Sequence, residues 1–191
     1  MSPRKKEDFE KMQELSREKI LKAALALFAQ KGYSSTSVES IALKAKISKG
    51  LIYHYFKSKE EILKGIFSIL MENLNRFMAD NHELAPKEYI QKLLEYSFQF
   101  IIYQSKINRF LIALSIQPKV VAGLKEDMDN AKQFWMEQLT QMFRKLNYEQ
   151  PEAEAYLLGA IFDGVGIGYQ ALGKDYPINE IQALLIKKYK L

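Results

Sequence analysis

Residues Thr36–Phe56, TSVESIALKAKISKGLIYHYF, constrain the fold of this chain more than any other stretch. Two short helical repeats lie there with room between them only for a tight turn. Thr36 and Glu39 have capping-box spacing, in which the Thr hydroxyl accepts from the N–H three residues on and the Glu reaches back. Val38, Ile41, Ala42 and Ala45 then recur at i, i+3, i+4 and i+7, one apolar face of a helix. Lys46-Ile47 forms the turn, and Ser48 is the cap of the next helix. In that helix Leu51, Ile52, Tyr55 and Phe56 fall on one side, and Lys49, Gly50, Tyr53 and His54 on the other. Ser58 and Glu61 repeat the capping-box spacing and open a further helix with Lys59 in its first turn.

The two sides of the second helix suit different tasks. One anchors it. The other is short, polar and cationic, with a glycine that allows a close backbone approach. Such a face, braced by another helix across a tight turn, can lie in a DNA major groove. Lys59, beside free N–H groups at a helix start, suits a phosphate contact. Charge is distributed accordingly. Residues 1–60 hold 13 Lys/Arg against 7 Asp/Glu, about +6, whereas the whole chain carries +5, leaving about −1 for residues 61–191. A basic excess can be a solvated surface, but on this helix pattern it points to phosphate.

From about Glu14 to Leu74 the chain resembles the N-terminal domain of the TetR family of bacterial transcription regulators. The resemblance is carried by KILKAALALFAQKGY, TSVESIA, ISKGLIYHYF and KSKEEIL in that order. It implies an all-α fold: a three-helix helix-turn-helix DNA-binding domain over 14–74 (motif 37–56), then a helical regulatory and dimerisation domain over 75–191, about nine helices in all. It also implies a homodimer on double-stranded operator DNA, most often a repressor released by a small-molecule effector. Carried over by position, the DNA contacts fall on Thr36, Ser37, Ser48, Lys49, Gly50, Tyr53, His54 and Lys59. Lys46 departs from the pattern, since the family often has Gly in the turn; a Lys there takes a left-handed conformation at some cost.

Apolar periodicity predicts helices over Leu15–Lys31, with Gly32 ending the first as its C′ residue, and over 58–80, 86–104, 106–116, 118–146, 152–172 and 178–189. Residues 1–13, of mixed charge, are expected to form a frayed arm that turns helical near Phe9, with Arg4, Lys5 and Lys6 within reach of DNA. Helix 86–104 is apolar around most of its circumference and is therefore central. The run GAIFDGVGIGYQALG has too many glycines for an ordinary helix, each costing up to about 1 kcal/mol against Ala. Close approach of another helix compensates. The resemblance places a dimer partner there, at Gly159, Gly164 and Gly168, and packing within the chain is the alternative. The resemblance implies an effector site, expected as an apolar cavity among helices 86–104, 118–146 and 152–172 at Phe98, Phe110, Phe134, Trp135, Phe162 and Tyr169, with Asp163 facing it; ordinary core for the aromatics and an exposed Asp163 are the alternatives.

Other classes find little support. His54 and His82 have no metal-ligand spacing around them, and no cofactor motif is present: no P-loop, dinucleotide fingerprint or nucleophile elbow. An enzyme is not expected. Absence of cysteine excludes disulfides and thiolate metal sites. The N-terminus lacks a signal-peptide pattern and no apolar run looks long enough to span a bilayer, so a cytoplasmic protein without a membrane partner is expected.

Overall fold

The computed structural model describes residues 3–191; within the first ten residues only the side chains of Asp8 and Phe9 are described. The expectation for Arg4, Lys5 and Lys6 lies outside the described side chains. Among the described residues there are helices and no strands. The chain divides into two compact units, residues 1–72 and 73–191.

The first unit holds α1 (Pro3–Lys31), α2 (Val38–Ala45), α3 (Lys49–Tyr55) and the start of α4 (Lys59–Asn81). The first helix begins twelve residues earlier than its apolar repeat. Pro3 suits a first helical position, and nothing between it and Leu15 breaks a helix. Gly32 ends α1 at φ +84°, its N–H bonded to Phe28 O at 2.9 Å. Tyr33 folds back beneath, its ring 5.1 Å from that of Phe28. Ile20, Ala24, Phe28, Ile41, Ile52, Phe56, Ile62 and Ile66 form the buried centre. Gly65 lies within it: a Cβ there would be 2.9 Å from Leu21 Cδ2 and 3.3 Å from Phe56 Cε1.

The second unit holds the remainder of α4, then α5 (Pro86–Tyr103), α6 (Ser105–Ser115), α7 (Pro118–Val121), α8 (Lys125–Lys145), α9 (Pro151–Leu172) and α10 (Ile178–Tyr189). The predicted helix 118–146 is interrupted: residues 122–124 tighten into a 3-10 turn, leaving α7 as a single turn ahead of α8. Counting α7 out, nine helices of seven or more residues are described. Helix α5 is central, burying Tyr89, Ile90, Leu93, Leu94, Phe98 and Ile101 against α8, α9 and α10, although Tyr103 at its end is exposed. Arg144 at the end of α8 pairs with Glu152 at the start of α9 at 2.5 Å. Tyr189, buried on α10, donates to Glu154 at 3.2 Å.

Helix α9 corrects one expectation and divides another. Pro151–Asp175 is long and apolar enough, by length and composition, to cross a membrane, contrary to the reading of the sequence. Only part of it is buried: Ala155, Leu158, Val165 and Gly166 face the core. Its glycines also serve different ends. A Cβ on Gly168 would fall 2.3 Å from Tyr176 Cε2, so packing within its own chain, the alternative left open for these glycines, is reason enough for a small residue there. Gly166, which the sequence did not single out, lets α6 approach; its Cβ would lie 3.0 Å from Asn108 Nδ2. Gly159 and Gly164 have nothing within 4 Å of a built Cβ.

Candidate nucleic-acid interface

The helix-turn-helix is built by two serine caps and one strained turn. Ser37, not Thr36, caps α2: its backbone is extended and its Oγ accepts from Ser40 N–H at 3.1 Å. Thr36 is unsuited to that task, and to touching a ligand with its side chain. It is 2% exposed, and its hydroxyl donates to Gly32 O at 2.8 Å, closing the turn after α1. Lys46 ends α2 at φ 57° and ψ 45°, its N–H directed to Ala42 O and Leu43 O. This left-handed turn, which costs a non-glycine residue about 1–2 kcal/mol, redirects the chain so that Ser48 can cap α3, accepting from Leu51 N–H at 3.1 Å.

Helix α3 has the two predicted faces. Ile52 and Phe56 are buried, with Leu51 and Tyr55 half-buried, and Arg17 stands 5.5 Å over the Phe56 ring. Lys49, Gly50, Tyr53 and His54 are exposed. Nothing nearer than Ser48 Oγ at 3.9 Å would meet a Cβ on Gly50, so the fold itself does not require a glycine there. Ser37 and Ser48 are also exposed.

Beside this face the loop after α1 is tied to the start of α4. Ser58 Oγ accepts from Glu61 N–H at 3.2 Å, and the Glu61 carboxylate accepts from Lys57 N–H at 2.7 Å, one residue earlier than a standard capping box reaches. Lys59 Nζ donates to Tyr33 O at 2.9 Å and Thr36 O at 3.0 Å, and lies 4.3 Å from the Tyr33 ring centre. The ammonium predicted for a phosphate thus has two of its three N–H groups engaged and one left over. Tyr33 donates to Glu60 at 3.0 Å. Burial, aided by Glu60, pushes the Tyr33 phenol pKa up, while backbone, Ser58 and Tyr33 hydrogen bonds hold the Glu60 carboxyl down.

Between these parts opens a cleft of about 490 Å3, lined by Ser34, Ser35, Thr36, Ser37, Val38, Tyr53, Lys57, Ser58 and Lys59. Four serines, two helix starts and two lysines make it a place for a multi-oxygen anion such as a backbone phosphate. Lys57 was not singled out in the sequence, although it sits two residues before Lys59.

The residues expected at an effector site are only partly assembled. Phe98 is buried, edge-on to Phe162 at 6.3 Å, and Trp135 and Tyr169 pack against the same core. Phe110 is buried on α6. Phe134 is half exposed, and Asp163 is exposed on the side of α9 away from Leu158 and Val165, so neither faces the interior. Asn108, buried at its Nδ2 and without a hydrogen-bond partner there, is a polar group the sequence did not flag; an unmet buried donor calls for an acceptor. No group of three or more metal-capable His, Cys, Asp or Glu side chains occurs among the described residues.

This arrangement defines a helix-turn-helix protein: a capped α2, a tight left-handed turn, and an α3 whose outer face is exposed beside a cationic cleft. Residues 20–66 match the model of the bacterial regulatory proteins of the tetR family. That match, over about a quarter of the chain, is to the family's DNA-binding part. It is 64% identical over 44 residues to the uncharacterized HTH-type transcriptional regulator YuxN of Bacillus subtilis, covering 23% of this chain and 15% of that protein. It is 29% identical over 108 residues to the biofilm operon icaADBC HTH-type negative transcriptional regulator IcaR of Staphylococcus aureus, covering 56% of this chain and 58% of that one. The chain thus spans from 15% to 58% of the length of these curated relatives. The fold resembles that of the transcriptional regulator FadR from Bacillus subtilis in complex with stearoyl-CoA, with a TM-score of 0.76 at 19% identity over 90% of this chain and 96% of that one.

Proposed function

We propose that this protein is a sequence-specific DNA-binding transcriptional regulator that represses genes as a homodimer and leaves its operator when a small, largely apolar or aromatic effector binds. One observation carries the DNA-binding reading: α3 is anchored by Ile52 and Phe56 while Lys49, Gly50, Tyr53 and His54 are exposed beside the Lys57–Lys59 cleft. In the complex Tyr53 and Lys59 contact phosphates, Lys49 and His54 reach base edges, and Gly50 lets the groove come close. Ser37 and Ser48 lie where hydroxyls can add backbone contacts. The name of IcaR, a negative regulator, supports repression.

Dimerisation rests on α9. Away from the core it exposes Tyr156, Leu157, Gly164 and Ile167 along one side, with Asp163 as the charged residue among them, and α10 exposes Leu184. An apolar face of this length needs covering. A second copy covers it and sets two recognition helices on successive major grooves, roughly 34–36 Å apart. The same covering accounts for a helix of membrane-like composition in a protein that acts on DNA in the cytoplasm.

The effector reading is supported by the aromatic cluster of Phe98, Trp135, Phe162 and Tyr169, and by the stearoyl-CoA named with the FadR structure. Helix α4, which supplies residues to both units, is the element through which an effector would shift the DNA-binding heads. Coupling of the usual size, about 1–3 kcal/mol, changes operator affinity roughly 5- to 150-fold, and operator must weaken effector binding by the same factor.

Selection of genomic fragments on the immobilised protein, followed by titration at several salt concentrations, tests the reading. A recurring near-palindromic sequence bound well above random DNA is the expected result. Equal binding of all fragments would falsify it.

A further inference from the structure

We propose that Glu39 is a specificity-determining residue of the DNA-facing surface: it latches the Lys49 ammonium to α2, so that the two side chains meet the duplex as a paired donor and acceptor suited to a G·C base pair. The proposal rests on the DNA-binding reading above.

Glu39 lies in the first turn of α2 and Lys49 is the first residue of α3. Ten residues separate them, and the left-handed turn at Lys46 brings them together. Lys49 Nζ donates to Glu39 Oε1, and the Tyr53 ring, one turn further along α3, lies 5.8 Å from the same ammonium. The pair is not part of the packing: the two side chains are 49% and 61% exposed. An exposed ion pair adds little to stability, so the fold has small need of it. The pair nevertheless stays charged, since the Lys49 hydrogen bond, ahead of the backbone and Ser37, holds the Glu39 carboxyl below its usual range.

The chemistry then discriminates between DNA partners. The Lys49 ammonium spends one N–H on Glu39 and keeps two, whereas the carboxylate only accepts. In the major groove guanine offers acceptors at O6 and N7, and the cytosine paired with it offers a donor at N4. A lysine held against a glutamate matches that pattern with both members. A phosphate offers acceptors and negative charge only; it satisfies Lys49 and is repelled by Glu39. Glu39 therefore weakens binding to backbone anywhere on DNA and is compensated only where a cytosine amino group faces it.

The experiment compares the unaltered protein with Glu39→Gln, Lys49→Ala and the double variant. Anisotropy titrations use a selected operator fragment and random duplex of equal length, with melting curves confirming that each variant folds. Glu39→Gln is expected to tighten random DNA by about fivefold, the upper size for an exposed charge pair, and to tighten operator less, so that selectivity falls. The loss should vanish when Lys49 is already Ala, and repeating the fragment selection with Glu39→Gln should relax one G·C position in each half-site. Equal tightening of operator and random DNA would mean general repulsion and overturn the proposal. So would the same change in the Lys49→Ala background. If the unaltered protein selects no fragment, the DNA-regulator reading fails and this one with it; if it selects normally and Glu39→Gln selects equally well, only the role of Glu39 fails.

Discussion

Gly50→Ala should move stability and DNA binding in opposite directions. Gly50 is the second residue of α3, exposed, with no positive φ and nothing but Ser48 Oγ, at 3.9 Å, near a built Cβ. An added methyl meets no clash inside the protein. It removes the helix penalty of glycine, about 0.5–1 kcal/mol, and a first-turn position in a seven-residue helix should yield the lower part of that range. At about 2–4 °C per kcal/mol for a chain of this size, the melting temperature should rise by about 1–2 °C. The same methyl stands on the face turned to DNA. If it costs the complex one good base contact, worth about 1–3 kcal/mol, operator affinity should fall about 5- to 150-fold while random-DNA affinity changes less. Thermal unfolding by circular dichroism and anisotropy titration of a selected fragment measure both. A lower melting temperature would show that the glycine is needed by the fold. Unchanged operator affinity would remove Gly50 from the interface.

Four further outcomes are expected. Lys59→Ala strips Tyr33 O and Thr36 O of their charged donor, so it should destabilise the first unit by about 1–2 kcal/mol in urea unfolding; it should also weaken binding to all DNA sequences and flatten the salt slope by about one unit. Gly65→Ala, by contrast with Gly50→Ala, forces a Cβ to 2.9 Å from the buried Leu21 and should lower the melting temperature despite better helix propensity. Gly164→Leu should shift the protein from dimer to monomer in sedimentation, whereas Gly168→Ala should destabilise the chain through Tyr176 and be relieved by Tyr176→Ala; dimers that survive Gly164→Leu at micromolar concentration would count against the α9 interface. Burial raises the Tyr33 and Tyr189 phenols above their ordinary value of 10.0, so the stability they contribute is complete below pH 10 and declines as pH rises beyond it; urea midpoints above pH 10 should fall less steeply in Tyr33→Phe.

Much of the site is legible in the sequence because it depends on near neighbours. The faces of α3 follow from helical periodicity, so Ile52 and Phe56 are inside and Lys49, Gly50, Tyr53 and His54 outside with no tertiary knowledge. Ser48, Ser58 and Gly32 act within a turn of their own positions and were readable for the same reason. Thr36 shows where local reading ends. Threonine and serine at 36 and 37 are both capping residues, and the choice between them is made by Gly32 O, which claims the Thr36 hydroxyl once the chain has turned after α1. Lys59 follows the same logic at longer range. Sequence makes it a cation at a helix start, but the carbonyls of Tyr33 and Thr36, more than twenty residues away, engage most of its hydrogen-bonding capacity.

The second unit divides in the same way. Its helices, the central place of α5 and the surplus of glycine in α9 are properties of residue type and spacing. What each glycine is for is not. Gly159, Gly164, Gly166 and Gly168 look alike in the sequence; Tyr176 and Asn108 occupy the space beside two of them and leave the other two open. Asp163 went to the surface although its neighbours are apolar, because a helix has a far side whatever its mean composition. The sequence by itself determined a helix-turn-helix, its basic character and the outward face of its recognition helix, since these arise from backbone hydrogen bonds and periodicity over a few residues. Only the tertiary structure decided which charges are spent on the protein's own carbonyls, which on each other as in Glu39 and Lys49, and which small residues serve the chain itself, because those outcomes depend on atoms that meet in space after the turns between them have formed.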